Sequence, residues 1–160
     1  MQISISSPEK IPAFIELLEE AGAWLWEKGI RQWKPGIHRI SLDMINDLVE
    51  NGWLVLAYQE DKLAGGCVLS RCGPGFWLPD SHALYVHKLA AARFVAGKGV
   101  GREVIHFCIQ FATALGYSAI RLDCWDGNDF LKTYYQEAGF NMLNAVPEED
   151  YRVRLFEWKI

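Results

Sequence analysis

A glycine cluster, GKGVG at residues 97–101, is the segment of the chain whose composition and position best suit chemistry. A glycine-rich turn that leads into a helix lets backbone N–H groups converge on an anion, because glycine adopts unusual dihedral angles and the helix start carries partial positive charge. Residues 81–102 contain no Asp or Glu but four basic residues, Lys88, Arg93, Lys98 and Arg102. The pattern predicts a site for a phosphate-like anion, with a plain tight turn and solvated cations as the alternative.

Two common phosphate-binding motifs do not fit this cluster. A P-loop requires GxxxxGK followed by Ser or Thr, whereas Lys98 lies between two glycines and is followed by glycine and valine. A dinucleotide-binding fingerprint requires GxGxxG, and Gly101 comes one position too early to be its third glycine. A Walker-type NTPase and a dinucleotide-dependent enzyme are therefore disfavoured.

The elements that must position the cluster follow from hydrophobic periodicity and turn residues. An extended apolar run at 82–92 precedes it, and a helix that ends at Gly116 follows it. The other elements are strands at 2–6, 53–58, 63–71, 118–125, 140–146 and 151–159, helices at 7–29, 41–52 and 129–138, and a loop at 72–81, with Ser41 predicted as a helix N-cap. This order predicts an α/β architecture with a mixed sheet.

The composition is typical of a single folded domain and disfavours general binding to nucleic acid or membranes. With 160 residues, 51% hydrophobic and 22% charged, the chain is expected to form one folded domain over residues 1–160. A formal net charge of -4 gives no general attraction for nucleic acid or an anionic membrane, and no apolar run is long enough to span one. The N-terminus lacks a signal-peptide pattern, so a cytoplasmic protein is predicted.

The four cysteines, Cys67, Cys72, Cys108 and Cys124, are widely spaced and form no CxxC pair. This spacing fits neither a disulfide framework nor a zinc site, so reduced thiols are expected. Cys124 has no clear His and Asp partners in the sequence, which disfavours an acyl-enzyme mechanism.

The segment LYVHKLAAARFVAGKGVGREV, residues 84–104, resembles motif A of the GNAT superfamily, the acyl-CoA-dependent N-acyltransferases. The motif reads Q/R-x-x-G-x-G/A, so Gly99 and Gly101 fill its small positions, while Ala96 replaces Gln or Arg and removes one side-chain contact. A second segment is similar to the family pattern N-x6-Y-x3-G-F, through Asn128, Tyr135, Gly139 and Phe140. GIRQW at residues 29–33 also resembles bacterial members, so the resemblance covers essentially the whole chain.

The resemblance implies a mixed, mostly antiparallel sheet of about seven strands, flanked by four helices and with splayed central strands. It implies acetyl-CoA as cosubstrate and no metal. The pantetheine arm would pair with the strand at Leu89, Ala90 and Ala91. The pyrophosphate would lie among the residues of the glycine loop, which are Ala96, Gly97, Lys98, Gly99, Val100, Gly101, Arg102 and Glu103.

The same resemblance implies direct attack of an amine on the thioester within a ternary complex. The N–H of Leu89 would polarise the thioester carbonyl. Tyr135 matches the family's general acid, and its alternative role is a packed aromatic beside Tyr134. Asn128 would contact the cofactor or act near the N-cap of its helix.

A candidate base follows from strand geometry, because a period of two places Tyr85, His87 and Leu89 on one face. His87 would then face the acceptor near the thioester as a base or a relay to water, or would only hydrogen-bond within a packed sheet. The family builds its acceptor pocket from the first two helices, their loop and the final hairpin. Acidic residues there would favour a cationic amine or form solvated faces, whereas Arg31, Trp33 and Trp77 would suit a carboxylate or a flat apolar group.

The predicted function is an acetyl-CoA-dependent N-acetyltransferase that acts on a primary amine of a small molecule or a protein. A non-catalytic acyl-CoA-binding module is the alternative. Nucleic-acid binding is disfavoured because the rest of the chain is acidic and the aromatic residues are dispersed. The apolar C-terminal strand would pack in the core or form a homodimer contact.

Overall fold

The computed structural model describes residues 1–160. The chain forms seven strands and five α-helices, with 3-10 turns at Pro8–Lys10 and Arg93–Val95. In chain order the elements are β1 (Gln2–Ser6), α1 (Ile11–Glu27), α2 (Ile37–Ile40), α3 (Leu42–Glu50), β2 (Gly52–Gln59), β3 (Lys62–Ser70), β4 (Ala83–Ala91), α4 (Val100–Ala114), β5 (Ala119–Trp125), α5 (Asp129–Glu137), β6 (Asn141–Glu148) and β7 (Tyr151–Lys159). The predicted α/β class is confirmed.

The strands form one sheet in the order β1-β2-β3-β4-β5-β7-β6. Every neighbouring pair is antiparallel except β4 and β5, which are parallel. A parallel pair needs a crossover connection, and α4 supplies it by packing against both strands. The mostly antiparallel seven-stranded sheet is therefore as predicted.

The two central strands separate soon after they begin to pair. Only Ala83–Tyr85 of β4 pairs with Ala119–Arg121 of β5, although both strands continue beyond that pairing. This confirms the predicted splay. The unpaired edges of β4 and β5 form an opening in the middle of the sheet.

The structure has five α-helices, one more than the four that were expected. The additional helix, α2, has four residues, too few to produce a detectable hydrophobic period. Its first turn is held by the buried carboxylate of Glu19, which accepts hydrogen bonds from the backbone N–H groups of Gly36, His38 and Arg39 at 2.6, 2.8 and 3.1 Å. Ser41 joins α2 to α3, and its side chain makes no capping hydrogen bond, contrary to expectation.

The strict alternation predicted for β4 also fails, because the strand contains a bulge at Lys88. Lys88 has a φ of 58°, which non-glycine residues rarely adopt. His87 pairs with Val68 and Ala90 with Gly66, so two residues of β4 face the single residue Cys67, one more than regular pairing has. Cross-strand partners share a face, so Leu89 lies on the face opposite His87.

The main core contains 31 buried residues from both faces of the sheet and from the helices that cover it. Helices α1 and α3 pack on the sheet through side chains such as Phe14, Leu18 and Ile45, and α4 packs through Val104 and Cys108. This packing holds the start of α4 and the bulge of β4 beside the central opening. No helix is long and apolar enough to span a membrane.

Candidate active site

The glycine loop presents a set of free backbone donors at the start of α4. Gly97 and Gly99 have φ values of 75° and 79°, a region that favours glycine. The N–H groups of Gly97, Gly99, Val100, Gly101 and Arg102 make no hydrogen bond within the chain, whereas Lys98 and Glu103 donate to Val95 and Gly99. Five free N–H groups at a helix N-terminus can hold an anion.

Gly101 differs from the other two glycines because it is required for close packing and not for a positive φ. A Cβ atom at this position would lie 2.5 Å from the hydroxyl of Tyr134 on α5. The small residue therefore lets α5 approach the start of α4 closely. The resulting contact fixes the position of the neighbouring Tyr135 relative to the glycine loop.

The basic residues near the loop do not form the single zone that the sequence suggested. Arg102 pairs with Glu137 at 2.7 Å, and Arg93 stacks on Trp24 at 3.7 Å. Lys88 is turned by the bulge towards Trp33, 5.8 Å from its ring. Lys98 is the exposed cation of the loop itself, so the backbone supplies most of the anion-binding capacity.

Tyr135 is buried between the sheet and the end of α5. Its ring packs against Phe156 and Phe140, with centroids 5.3 and 6.1 Å away, and its hydroxyl makes no hydrogen bond within the chain. Burial raises its pKa well above the usual value, and the nearby thiol of Cys124 raises it further. The phenol therefore stays protonated and can donate a proton or a hydrogen bond.

Asn128 is buried at the N-cap of α5. Its Oδ1 accepts a hydrogen bond from the N–H of Leu131 at 3.1 Å, and its Nδ2 donates to Gln32 at 3.5 Å. Of the two roles considered for this residue, the helix N-cap is the one observed. Gln32 also accepts from the N–H of Trp125 at 3.3 Å, which ties the α1–α2 loop to the end of β5.

His87 lies on the face of the sheet covered by the loop 72–81. Its Nε2 lies 2.9 Å from the carbonyl oxygen of Cys72, so Nε2 carries the proton and Nδ1 is the acceptor. Burial lowers the pKa of His87, and the neighbouring Lys88 lowers it further against the effect of the Cys72 hydrogen bond. The ring is neutral near pH 7 and has one nitrogen able to accept a proton.

The loop that orients His87 is itself anchored by Arg121 of β5. Its guanidinium pairs with Asp80 and Glu157 at 3.0 and 2.9 Å and donates to the hydroxyl of Tyr85. Trp77 packs on the same guanidinium, 4.9 Å from its ring. Trp77 is thus part of this anchor. Of the two other proposed substrate contacts, Arg31 stacks on Trp26 and Trp33 packs against His38.

Sequence reasoning missed Lys88 and Asp123 as partners across the splay. Pairing ends at Tyr85 and Arg121, and strand alternation puts His87 and Asp123, two residues further along their strands, on the face that this last pair shares. The bulge turns Lys88 to the same face. Burial raises the pKa of Asp123 to about 6, with Lys88 lowering it and Glu148 raising it. Burial lowers the pKa of Lys88, and Asp123 opposes that shift. A motif search cannot find this pair, because the bulge creates it.

His38 interacts electrostatically with Lys88 and is fully buried. Its ring meets Trp33 edge to face with centroids 4.7 Å apart, and neither ring nitrogen has a hydrogen-bond partner. Burial lowers the pKa of His38 to about 4, with Lys88 lowering it and Glu19 raising it. The ring is therefore neutral and does not compete with Lys88 for an anion.

Cys124 cannot serve as a nucleophile near neutral pH. Burial raises the pKa of its thiol to about 12, and the adjacent Asp123 contributes to that increase. The thiolate that an acyl-enzyme would need is therefore scarce. The expectation that this cysteine is structural agrees with its place in the core.

Comparison with known proteins agrees with this arrangement. The model of the acetyltransferase (GNAT) family matches residues 18–140. An uncharacterized N-acetyltransferase, YesJ of Bacillus subtilis strain 168, is 27% identical over 135 residues, covering 81% of this chain and 75% of that protein.

Solved structures share the fold. A GNAT-family acetyltransferase from Listeria monocytogenes gives a TM-score of 0.78 at 21% identity, covering 99% of this chain and 94% of the other. A Bacillus subtilis acetyltransferase in complex with CoA gives a TM-score of 0.72 at 17% identity, covering 99% and 98%. Because the family model spans most of the sequence, this chain belongs to the GNAT acetyltransferase family and is an acyltransferase.

Proposed function

We propose that the protein transfers the acetyl group of acetyl-CoA to a primary amine of a small molecule or a protein, by direct attack in a ternary complex. The five free N–H groups of the loop from Gly97 to Arg102, set beside the splayed strands, carry this proposal. A pyrophosphate needs several fixed donors, and an extended pantetheine arm needs unpaired strand edges. Both features occur together at one end of β4.

The cosubstrate's thioester would lie in the opening between β4 and β5. Leu89, Ala90 and Ala91 would pair with the arm, and the N–H of Leu89 would stabilise the oxyanion that develops on the carbonyl. Ala96 would flank the pyrophosphate without a side-chain contact. A cofactor contact by Asn128 would have to use its Nδ2 group, because its Oδ1 caps α5.

The chemistry requires three proton transfers, two from the acceptor nitrogen and one to the leaving thiolate. An ammonium acceptor first loses a proton, after which its nitrogen attacks the thioester carbon, the C–N bond forms and the C–S bond breaks. The nitrogen then loses a second proton, and the departing thiolate gains one. Tyr135, whose phenol stays protonated, is proposed to donate to the sulfur. The second proton of the nitrogen passes to solvent, and the phenolate regains a proton from solvent, which restores the resting state.

Asp123 and His87 lie on the same face and are proposed to take the acceptor's proton. A carboxyl whose pKa is about 6 is largely ionised at pH 7 and is a stronger base than an ordinary carboxylate. Nδ1 of His87 can relay that proton to solvent, because Nε2 is held by the Cys72 carbonyl. Asp123 is thus the first acceptor and His87 the relay.

Thermal unfolding in the presence of acetyl-CoA tests the donor site, with ATP as the control anion. A ligand that binds only the folded state should add about 2.7 kcal/mol at 100 times its dissociation constant. We expect saturable stabilisation by acetyl-CoA and none by ATP. Equal stabilisation by both, or none at millimolar acetyl-CoA, would show that the glycine loop does not select CoA.

A further inference from the structure

Two opposite charges face each other across the splay without a partner of their own. The ammonium of Lys88 and the carboxylate of Asp123 interact electrostatically, but they form neither a direct ion pair nor a hydrogen bond. Neither group is completely enclosed by the protein, in contrast to the ring nitrogens of His38. Both remain available to a molecule placed between them.

The position of Lys88 depends on an uncommon backbone conformation. Without the bulge, the residue after His87 would lie on the opposite face of β4, towards α4. At a φ of 58° the side chain instead extends over Trp33 on the face of Asp123. Strained conformations of this kind persist only where the surrounding structure sustains them, and they are concentrated at functional sites.

The surroundings of the pair are mostly acidic. Glu148 and Tyr151 of the β6–β7 hairpin interact electrostatically with Asp123, and Glu148 raises its pKa. Lys88 is the cation that faces these groups, and the nearby His38 is neutral. The site therefore offers one positive and two negative positions to an acceptor.

Resting on the proposed acetyl transfer, we propose that the acceptor is an amino-carboxylate, with its amine seated at Asp123 and its carboxylate at Lys88. Charges would then alternate along the site: Asp123 carboxylate, acceptor ammonium, acceptor carboxylate and Lys88 ammonium. Charge-assisted hydrogen bonds at both ends would orient the amine towards the opening between β4 and β5.

The arrangement also disfavours a simple amine. An amine without a carboxylate would bring a second cation near the partly buried Lys88 and leave that ammonium without a counter-ion. Such an unpaired, desolvated charge is a repulsive element that discriminates between related ligands. Selectivity would therefore follow from Lys88, whereas Asp123 serves any amine.

Matched pairs of acceptors test this proposal in the intact protein. L-amino acids, their decarboxylated amines and their methyl esters are compared by acetyl-CoA-dependent thiol release. In every pair that is turned over, we expect kcat/KM to be at least about tenfold higher for the amino acid than for its amine or ester. This factor corresponds to the loss of one hydrogen bond to a charged group. Amines or esters that equal their amino acids in every pair would overturn the proposal.

The variant Lys88→Gln identifies the residue responsible. Its KM for the amino acid should rise about tenfold and its preference over the decarboxylated amine should disappear, with KM for acetyl-CoA unchanged. Lys62→Gln, on the exposed β2–β3 hairpin, is the matched control and should keep the preference. An unchanged preference in Lys88→Gln would contradict the assignment. If this variant does not fold, Lys88→Arg replaces it, and the preference should survive because the charge remains.

The outcomes separate the two proposals. If decarboxylated amines release thiol as well as amino acids do, the acetyltransferase proposal stands and the acceptor proposal fails. If no amine of either kind releases thiol while acetyl-CoA binds, both fail, and the chain is a binding module.

Discussion

Tyr135 has a buried ring, and its hydroxyl makes no hydrogen bond within the chain. Tyr135→Phe should therefore leave stability nearly unchanged, because no hydrogen bond is lost. If the phenol donates to the departing thiolate, kcat should fall by about 100-fold or more, while the affinity for acetyl-CoA should change little. Steady-state thiol release and calorimetric titration measure the two quantities.

Tyr134→Phe is the matched control for this prediction. Tyr134 is the neighbouring phenol, and its pKa is also raised by burial, but it lies against Gly101 rather than in the core. Equal losses of kcat in both variants would mean that Tyr135 has no special role as a proton donor.

Asp123 gives the activity a distinct dependence on pH. Its pKa of about 6 reflects burial, with Lys88 lowering it and Glu148 raising it. Its other titratable neighbours are Cys124, Tyr135 and Tyr151. Only the ionised carboxylate accepts a proton, so kcat/KM should rise with pH through about 6. Asp123→Asn should lose this limb and at least about 100-fold in kcat.

A pH profile of His87→Gln provides the comparison. If His87 only relays a proton, this variant should keep the acid limb near pH 6 with a smaller loss of rate. Loss of the limb in His87→Gln and its retention in Asp123→Asn would reverse the assignment of the base.

At the scale of elements, two glycine-to-alanine variants distinguish the cost of a positive φ from the effect of lying in the glycine loop. Gly97 and Gly116 both have positive φ, at 75° and 82°, and a Cβ at either position would meet nothing within 4 Å. Alanine should cost about 1 kcal/mol of stability at both sites. Only Gly97→Ala should also weaken acetyl-CoA binding, by about tenfold in calorimetric titration, because the strained loop redirects its N–H groups. Equal affinities in the two variants would remove the loop from the donor site.

Elements that depend on local sequence can be predicted, whereas features that depend on strand pairing cannot. Strands and long helices were predicted within a few residues, because apolar periodicity and turn residues depend on local sequence. The glycine loop and Tyr135 carry recognisable motifs. The bulge at Lys88 was not predictable, since β4 contains no Gly or Pro to mark it and its effect depends on pairing with β3. The facing of Lys88 and Asp123 depends in turn on the splay between β4 and β5.

At the scale of the whole molecule, the contact between Glu19 and helix α2 supports the site and also affects stability. Glu19 holds the first turn of α2, and burial would raise the pKa of Glu19, but three backbone hydrogen bonds lower it. The same turn fixes His38 near Lys88 and against Trp33. The acceptor face of the sheet therefore depends on a neutral, buried imidazole.

His38 should make the stability of the fold depend on pH. Its pKa is about 4 in the folded state, below the usual 6.5, so the unfolded chain binds more protons between those values. Stability should then fall as pH decreases from 6.5 to 4, by about 2 kcal/mol between pH 7.5 and 5. Urea unfolding at both pH values measures this loss, and His38→Leu should reduce it. A pH dependence unchanged in His38→Leu would assign the loss to other groups.

In the proposed function, this fold transfers an acetyl group directly from acetyl-CoA to an amine. Initial rates of thiol release, measured while acetyl-CoA and the amine are both varied, test it most directly when the acetylated amine is quantified by mass spectrometry. Direct transfer predicts intersecting lines in a double-reciprocal plot and one acetylated amine for each thiol released. Parallel lines with acetyl groups on the protein, or bound acetyl-CoA without amine-dependent thiol release, would contradict it.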